Sequence, residues 1–173
     1  AQNRGLFVIM CQSKPKTMKI DVMIIGAGAA GLMCALEAGR RGRRVGLLDH
    51  AKSVGEKIRI SGGGRCNFTN LDIQPDRFVS QNPRFALSAL KRFTQWDFIA
   101  MVDAAGIAWH EKTLGQLFCD GSAKQIISML TDHARAAGVD ILCETTIGSI
   151  SHDGSYRITS SAGVYEADAL VIA

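Results

Sequence analysis

The chain has 173 residues, 47% of them hydrophobic, and a formal net charge of +4. This length fits one domain with a core of its own, and no apolar run reaches the roughly 18 residues that a membrane span needs. Basic residues exceed acidic ones only mildly and are scattered, apart from the cluster at residues 40–44. Because cations at a helix end offset the helix dipole, this cluster predicts a solvated cap, and we expect neither a nucleic-acid nor a membrane partner.

Cysteine residues are spread along the chain without any C-x-x-C pair, at Cys11, Cys34, Cys66, Cys119 and Cys143. The spacing predicts neither a zinc ribbon nor a redox dithiol, and we expect no metal site. Scattered cysteines in odd number are typical of the reducing cytoplasm, which is the expected location. Residues 1–17 are interpreted as a leader or a disordered tail and are left out of the predicted fold.

The predicted elements begin with "KIDVMIIG" at residues 19–26, an apolar run typical of a buried parallel strand. A helix follows through "AGAAGLMCALEAGRRG", and "RVGLLD" at 44–49 is a second strand, which completes a β-α-β unit. A helical excursion over about 71–121 comes next, with one or two amphipathic helices and two short strands. The side chains expected on the buried helix faces are Phe85, Leu87, Leu90, Phe93, Trp96, Phe98 and Met101.

The clearest helix lies in "SAKQIISMLTDHARAAG", where Ser122 and Gln125 match a capping box. Short strands follow, with Asp153-Gly154 as a hairpin signal between two of them. "VYEA" and "ADALVIA" are predicted as two further strands. A strand such as the last normally leads into a loop or helix, so we expect the natural polypeptide to continue. The predicted class is α/β, with a parallel sheet plus a β-meander in an incomplete Rossmann-like domain over residues 18–173.

The segment "GAGAAG" places Gly26, Gly28 and Gly31 in G-x-G-x-x-G spacing between a predicted strand and a helix. In dinucleotide-binding proteins the first glycine permits a tight turn, the second lets the pyrophosphate approach the backbone, and the third lets the helix lie close to the sheet. Asp49 ends the next strand, where a carboxylate accepts hydrogen bonds from ribose hydroxyls and repels a 2′-phosphate. The sequence therefore predicts a dinucleotide site that does not hold NADP.

A second glycine-rich stretch, "GEKIRISGGGRCNFTN" at residues 55–70, favours FAD over NAD as the bound dinucleotide. FAD extends past the pyrophosphate through its ribityl chain and ring, whereas a nicotinamide site needs no glycine-rich segment just beyond the acidic strand. Bare backbone at Gly62, Gly63 and Gly64 lets a cofactor approach within hydrogen-bonding distance. We therefore predict that both stretches contact one FAD molecule.

Taken together, these segments resemble those of the BaiN/YhiN-type flavoproteins, NAD(P)/FAD-dependent oxidoreductases that include proteins called aminoacetone oxidases. The string S-G-G-G-R-C-N-x-T-N is more specific to this family than the G-x-G-x-x-G spacing. The similarity runs from about Met18 to Ala173. The resemblance implies a glutathione-reductase-like FAD domain that forms the N-terminal part of a longer protein. It also implies that Ile147 contacts adenine through its backbone.

The first loop would hold the pyrophosphate, the acidic residue the ribose, and the second loop the middle and ring of the flavin. His50 would either flank the adenosine or lie at the surface. The complete set of predicted cofactor-binding residues is Gly26, Ala27, Gly28, Ala29, Ala30, Gly31, Asp49, His50, Lys57, Ser61, Gly62, Gly63, Gly64, Arg65, Cys66, Asn67 and Ile147.

Several of these side chains have more than one interpretation. Cys66 is either a redox thiol or, as we favour, a packed one, because no partner cysteine lies near it in sequence. Arg65 either neutralises the cofactor or pairs with Asp72 or Asp76. His110 is a candidate proton shuttle, although a lone histidine at a strand end is more often structural.

Two functions of different class follow from the sequence. The first is an FAD-dependent oxidoreductase that performs two-electron chemistry on a small organic substrate, with NAD(P)H or oxygen as electron partner and no assigned catalytic residue. The alternative is an FAD-binding module without turnover, or a flavoprotein component of an RNA-modifying assembly. A basic, aromatic face would favour RNA. The sequence predicts no particular oligomeric state.

Overall fold

A computed structural model describes residues 17–82 and 84–173. The predicted leader or tail thus lies outside the described residues except for Thr17, which begins the first strand. The helices and strands are β1 (Thr17–Ile25), α1 (Ala29–Arg40), β2 (Val45–Leu48), α2 (Glu56–Ile60), β3 (Asn67–Asn70), α3 (Leu87–Arg92), α4 (Gln95–Ala104), β4 (Trp109–Glu111), β5 (Gln116–Cys119), α5 (Ala123–Ala136), β6 (Asp140–Leu142), β7 (Ile147–Asp153), β8 (Ser155–Ser160) and β9 (Gly163–Ile172).

The larger sheet has the strand order β6-β2-β1-β9-β8-β7. Four strands, β6, β2, β1 and β9, are parallel, while β7, β8 and β9 form an antiparallel meander. The long strand β9 belongs to both halves, since one edge pairs with β1 and the other with β8. The predicted parallel sheet with a β-meander is confirmed.

Each face of this sheet carries its own apolar cluster, because successive side chains of a strand point to opposite faces. Ile24 and Leu47 belong to the larger cluster, which α1 and α5 help to build. Their neighbours Met23 and Leu48 belong to the second cluster, with Ile158 and Tyr165 from the meander. All four residues of β2 are buried, which explains its apolar sequence without polar alternation.

Two local sequence predictions in the second half of the chain are confirmed. Ser122 and Gln125 form a capping box at the start of α5, and Gly154 lies in the tight turn between β7 and β8 with a φ of 71°. The division into "VYEA" and "ADALVIA" was wrong, because both belong to β9. The strand is not interrupted where the two segments meet, since the backbone of Glu166 and Ala167 pairs with both β1 and β8.

The excursion contains two helices and two short strands, as predicted. It includes α3, α4 and the strands β4 and β5, which join β3 in a separate antiparallel sheet of order β3-β5-β4. The predicted burial of Phe85, Phe93 and Trp96 was wrong, since all three are exposed. Phe85 and Phe93 flank α3, which buries none of its six residues, and Trp96 lies in the first turn of α4, whose buried residues are Ile99 and Val102. Within the described ranges, none of the helices has the length and apolar character needed to cross a membrane.

Candidate functional site

The first glycine-rich loop joins the end of β1 to the start of α1. The Gly26 amide donates a hydrogen bond to the Leu48 carbonyl (2.8 Å), and the Gly55 amide donates to the Ala27 carbonyl (2.9 Å). The Ala27 amide donates to the Asp49 carboxylate at Oδ2 (2.6 Å). The loop is therefore fixed to the carboxyl end of β2, at the sheet edge where parallel α/β proteins bind ligands.

Two glycines in this loop differ in what surrounds them. A Cβ at Gly31 would collide with the Gly26 carbonyl oxygen, so only glycine lets α1 lie this close to the end of β1. A Cβ at Gly28 would meet no described atom within 4 Å. The predicted packing role of Gly31 is confirmed. None of the described residues explains Gly28 by its proximity, and the predicted contact of Gly28 with a pyrophosphate stays a prediction.

The amino-terminal turn of α1 carries no capping side chain. Gly28 is the N-cap, and the first turn contains no acidic residue. The amides of a first turn have no intrahelical acceptors, so they attract an anion when no side chain satisfies them. By contrast, α4 and α5 both begin with complete capping boxes, at Thr94 and Ser122. Of these three helices, α1 is the one whose start is open to a ligand.

The Asp49 side chain is largely buried, with an exposed fraction of 14%. Its Oδ2 accepts the Ala27 amide, and its Oδ1 accepts the Ala51 amide at 2.8 Å. The imidazole of His50 lies 3.5 Å from Oδ1 but is 90% exposed. Sequence reasoning assigned Asp49 to a ribose and missed this bracing role, which depends on the fold bringing Ala27 beside β2. Each carboxylate oxygen keeps a further lone pair for a hydroxyl donor.

Around the second glycine-rich loop the backbone is unusual. Gly62, Gly63 and Gly64 have φ values of 57°, 65° and 86°, and Cys66 also has a positive φ of 54°. A side chain costs energy in this left-handed region, which gives a backbone reason for three glycines in succession. A Cβ at Gly62 would also press against the ring of Phe118. Their predicted approach to a cofactor stays a prediction.

A cavity of about 790 Å³ extends from the first loop to the flank of the second. The predicted site residues that line it are Gly26, Ala27, Gly28, Ala29, Ala30, Asp49, His50, Lys57, Ser61, Cys66 and Asn67. The lining also includes large apolar side chains that the sequence did not assign to the site, among them Met33, Ile58, Phe68, Phe98, Ile126 and Leu130. The fold thus brings eleven of the seventeen predicted positions to one cavity.

The remaining predicted residues lie outside this lining: Gly31, Gly62, Gly63, Gly64, Arg65 and Ile147. Arg65 is exposed, and its proposed partner Asp72 instead pairs with Arg77 (2.7 Å). Ile147 begins β7, the second strand after α5. The chain just before it passes beside β2, because the Thr145 amide donates to the Asp49 carbonyl (2.9 Å).

Cys66 and Cys119 are both buried in the larger apolar cluster. Burial raises the pKa of the Cys66 thiol, against a smaller opposite effect from Ser61. Burial also raises the pKa of Cys119 to about 11, with further contributions from Cys66 and Asp120. Both are therefore neutral thiols at neutral pH, as expected of packed cysteines. In the described part of the chain, no three His, Cys, Asp or Glu side chains are grouped to hold a metal ion.

The chain matches a known protein family. The family model described as "HI0933-like protein Rossmann domain" matches residues 20–173. The chain belongs to this family. Its membership confirms the resemblance to BaiN/YhiN-type proteins and the Rossmann dinucleotide-binding fold.

Curated relatives include the ribosomal RNA dihydrouridine synthase of Escherichia coli (strain K12), 56% identical over 135 residues, which are 78% of this chain and 34% of that protein. The 3-dehydro-bile acid delta(4,6)-reductase of Clostridium scindens is 33% identical over 86 residues, covering 49% of this chain and 21% of that protein. The first of these matches spans about a third of its relative's length.

Among solved structures, glycine oxidase from Geobacillus kaustophilus superposes with a TM-score of 0.64 and 17% identity over 91% of this chain and 55% of that one. L-proline dehydrogenase from P. horikoshii gives 0.62 and 12% over 91% and 53%. These likenesses concern the fold.

Proposed function

We propose that the chain forms the FAD-binding part of a flavin-dependent reductase that saturates a uracil base in ribosomal RNA. The choice of ribosomal RNA as substrate rests on the 56% identity with the Escherichia coli ribosomal RNA dihydrouridine synthase. A protein of the same name from Haemophilus influenzae is 50% identical over 128 residues. The proposal departs from the small substrate expected from the sequence and adopts the RNA-modifying alternative.

The start of α1 supports the part of this proposal that concerns the cofactor. Its uncapped first turn offers amides to the pyrophosphate, and the open space at Gly28 leaves room for that group. The cavity continues past Lys57 and Ser61 to Cys66, so its lining includes residues of both glycine-rich loops, as a single elongated ligand would require. In this proposal, the second loop holds the middle and ring of FAD.

The adenosine end of FAD would lie at Asp49. The two backbone amides already bound there fix the carboxylate, and its remaining lone pairs can accept the ribose hydroxyls. His50, just after β2, and the backbone of Ile147, at the start of β7, would then both lie next to the adenosine. A carboxylate at this place disfavours a 2′-phosphate, so NADPH would not be the resident nucleotide. With FAD in the site, NADPH or NADH would act as a passing reductant.

When bound, reduced FAD would supply the hydride that saturation of the uracil double bond requires together with a proton. The residues of this chain would orient the ring and keep water away from it. Apolar side chains such as Phe68, Phe98 and Met33 line the cavity for that purpose. The neutral thiol of Cys66 would add no negative charge beside the reduced ring in this arrangement. No catalytic residue is assigned.

A second candidate is reduction of a small unsaturated compound. It is favoured by the 33% identity with the bile acid reductase of Clostridium scindens. The name of this reductase and the name of the RNA relatives both describe saturation of a carbon–carbon double bond. The flavin chemistry would therefore be the same for both candidates. The two candidates differ only in what reaches the cavity.

The test begins with the purified full-length protein and FAD, reduced without air by NADH or NADPH. Deproteinised ribosomal RNA lacking dihydrouridine, or a small unsaturated ketone, is then added, and reoxidation of the flavin is followed. We expect RNA to reoxidise it and to gain two hydrogens per modified uridine by mass spectrometry. Reoxidation by the ketone alone would favour the second candidate. A protein that takes up no FAD would contradict both.

A further inference from the structure

Residues 77–96, here called the basic aromatic segment, have an unusual charge composition. They contain Arg77, Arg84, Lys91 and Arg92 and no Asp or Glu. The segment thus carries a formal charge of +4, equal to that of the whole chain, so the other residues together are neutral. The sequence analysis considered only the cluster at residues 40–44 and overlooked this stretch because its cations are spaced apart.

The same segment exposes aromatic rings. Phe85 is 84% and Trp96 58% exposed, and Phe78 and Phe93 are each 41% exposed. Rings of this size are normally buried in a monomeric fold, so a group of them at the surface indicates a binding face. Arg77 pairs with Asp72. The other three cations are exposed and make no ion pair with any residue in 17–82 or 84–173.

One end of the basic aromatic segment approaches the cavity through a run of ring contacts. The ring centroids of Phe93 and Phe98 lie 6.4 Å apart, and those of Phe98 and Phe68 lie 6.1 Å apart. Phe98 and Phe68 both line the cavity. The Gln95 side chain fixes this end by donating to the Leu71 carbonyl (3.1 Å). A ligand that contacts Phe93 would therefore be separated from the cavity by one side chain, that of Phe98.

We propose that the basic aromatic segment is an RNA-docking surface, an inference that rests on the proposed function. Arg84, Lys91 and Arg92 would contact phosphates, while Phe85 and Trp96 would stack on unpaired bases. The charge selects RNA over an apolar protein face, because an apolar partner would leave unpaired cations at the interface. Single-stranded RNA supplies both the negative charge and the flat bases that this mixture of side chains binds.

The test compares two triple variants of the protein. R84Q/K91Q/R92Q removes three cations from the basic aromatic segment. R40Q/R41Q/R43Q removes the same charge from the end of α1 and serves as the matched control. Binding of deproteinised ribosomal RNA is measured over a range of salt concentrations, alongside FAD content and the rate of flavin reduction by NADH or NADPH. Phe85→Ala and Trp96→Ala variants are measured in the same way.

We expect the first triple variant to bind RNA at least tenfold more weakly, with a salt slope lower by about 2, since each lost contact to single-stranded RNA removes about 0.7. The control should bind nearly as the wild type does. Each aromatic variant should lose about fivefold or more in RNA affinity. FAD content and flavin reduction should not change in any of the four variants.

Three outcomes would overturn the proposal, and they are distinguishable. If the wild type binds and reduces RNA but the segment variants do so equally well, the docking surface is wrong and the proposed function stands. If the aromatic variants lose thermal stability and keep RNA affinity, the rings pack against another part of the protein. If the wild type neither binds nor modifies RNA, the proposed function fails as well.

Discussion

Helices α1 and α5 differ in whether side chains cap the free backbone amides of their first turns. Helix α5 satisfies them internally, since Ser122 accepts the Lys124 amide (3.2 Å) and Gln125 accepts the Ser122 amide (3.0 Å). Helix α1 has a bare N-cap, Gly28, with open space beside it. The difference teaches that an uncapped start is informative when other helices of the same chain are capped. Substitutions can test whether α1 leaves its amides for a ligand.

The largest effect is expected at Gly31. A valine there would collide with the Gly26 carbonyl oxygen and force α1 away from the sheet. We expect Gly31→Val to lower the free energy of unfolding by about 3 kcal/mol or more and to abolish FAD binding. Chemical denaturation and flavin titration measure the two effects. A variant of native stability would show that the loop tolerates a wider spacing than the structure indicates.

A serine at Gly28 would give α1 the cap that α5 already has. Because the space beside Gly28 is open, Gly28→Ser should leave stability unchanged or raise it by a few tenths of a kcal/mol. Its side chain would occupy the amides and the space proposed for the pyrophosphate. We expect the Kd for FAD to rise about tenfold or more, which corresponds to about 1.4 kcal/mol. Unchanged FAD affinity would indicate that the cofactor does not use this helix start.

The reciprocal change removes the cap of α5. Ser122→Ala should lower the free energy of unfolding by about 1 kcal/mol, because the Lys124 amide loses its acceptor. FAD affinity should stay the same in this variant, since neither Ser122 nor Gln125 lines the cavity. The measurements are those made for the Gly28 variant. An effect on FAD affinity as large as that of Gly28→Ser would mean that the two helix starts are not independent.

The smallest effect concerns the acid sensitivity of the two capping boxes. In α4, hydrogen bonds from the Thr94 hydroxyl and then from its backbone amide hold the pKa of Asp97 below its ordinary value. A lowered folded-state pKa means that this contribution is present above the unfolded pKa, about 3.9, and is lost as pH falls through the folded value. In α5 the corresponding residue is Gln125, which does not titrate.

The cost of Asp97→Ala should therefore shrink between pH 6 and pH 3, while the cost of Gln125→Ala stays constant. Denaturation curves of both variants and the wild type over this pH range provide the measurement. Parallel behaviour of the two costs would show that the Asp97 carboxylate does not act through the box.

Several features were predictable because they depend on neighbours a few residues away. The glycine spacing at 26–31, the capping box at Ser122 and the turn at Gly154 each follow from local backbone geometry and hydrogen bonding. The exposure of Phe85 and Trp96 was not predictable in this way. A helical pattern shows which side chains share a face, and whether anything covers that face depends on distant elements.

The sequence by itself determined the β-α-β unit, the position of the glycine-rich loop and the start of α5, because sterics and nearby hydrogen bonds act within a single turn or strand. Only the tertiary structure decided that Asp49 braces the Ala27 amide, that Cys119 lies beside Cys66, and that β9 runs unbroken between β1 and β8. Each of these relations joins residues far apart in the chain. Their contact is set by how the sheet and helices pack, which no short pattern encodes.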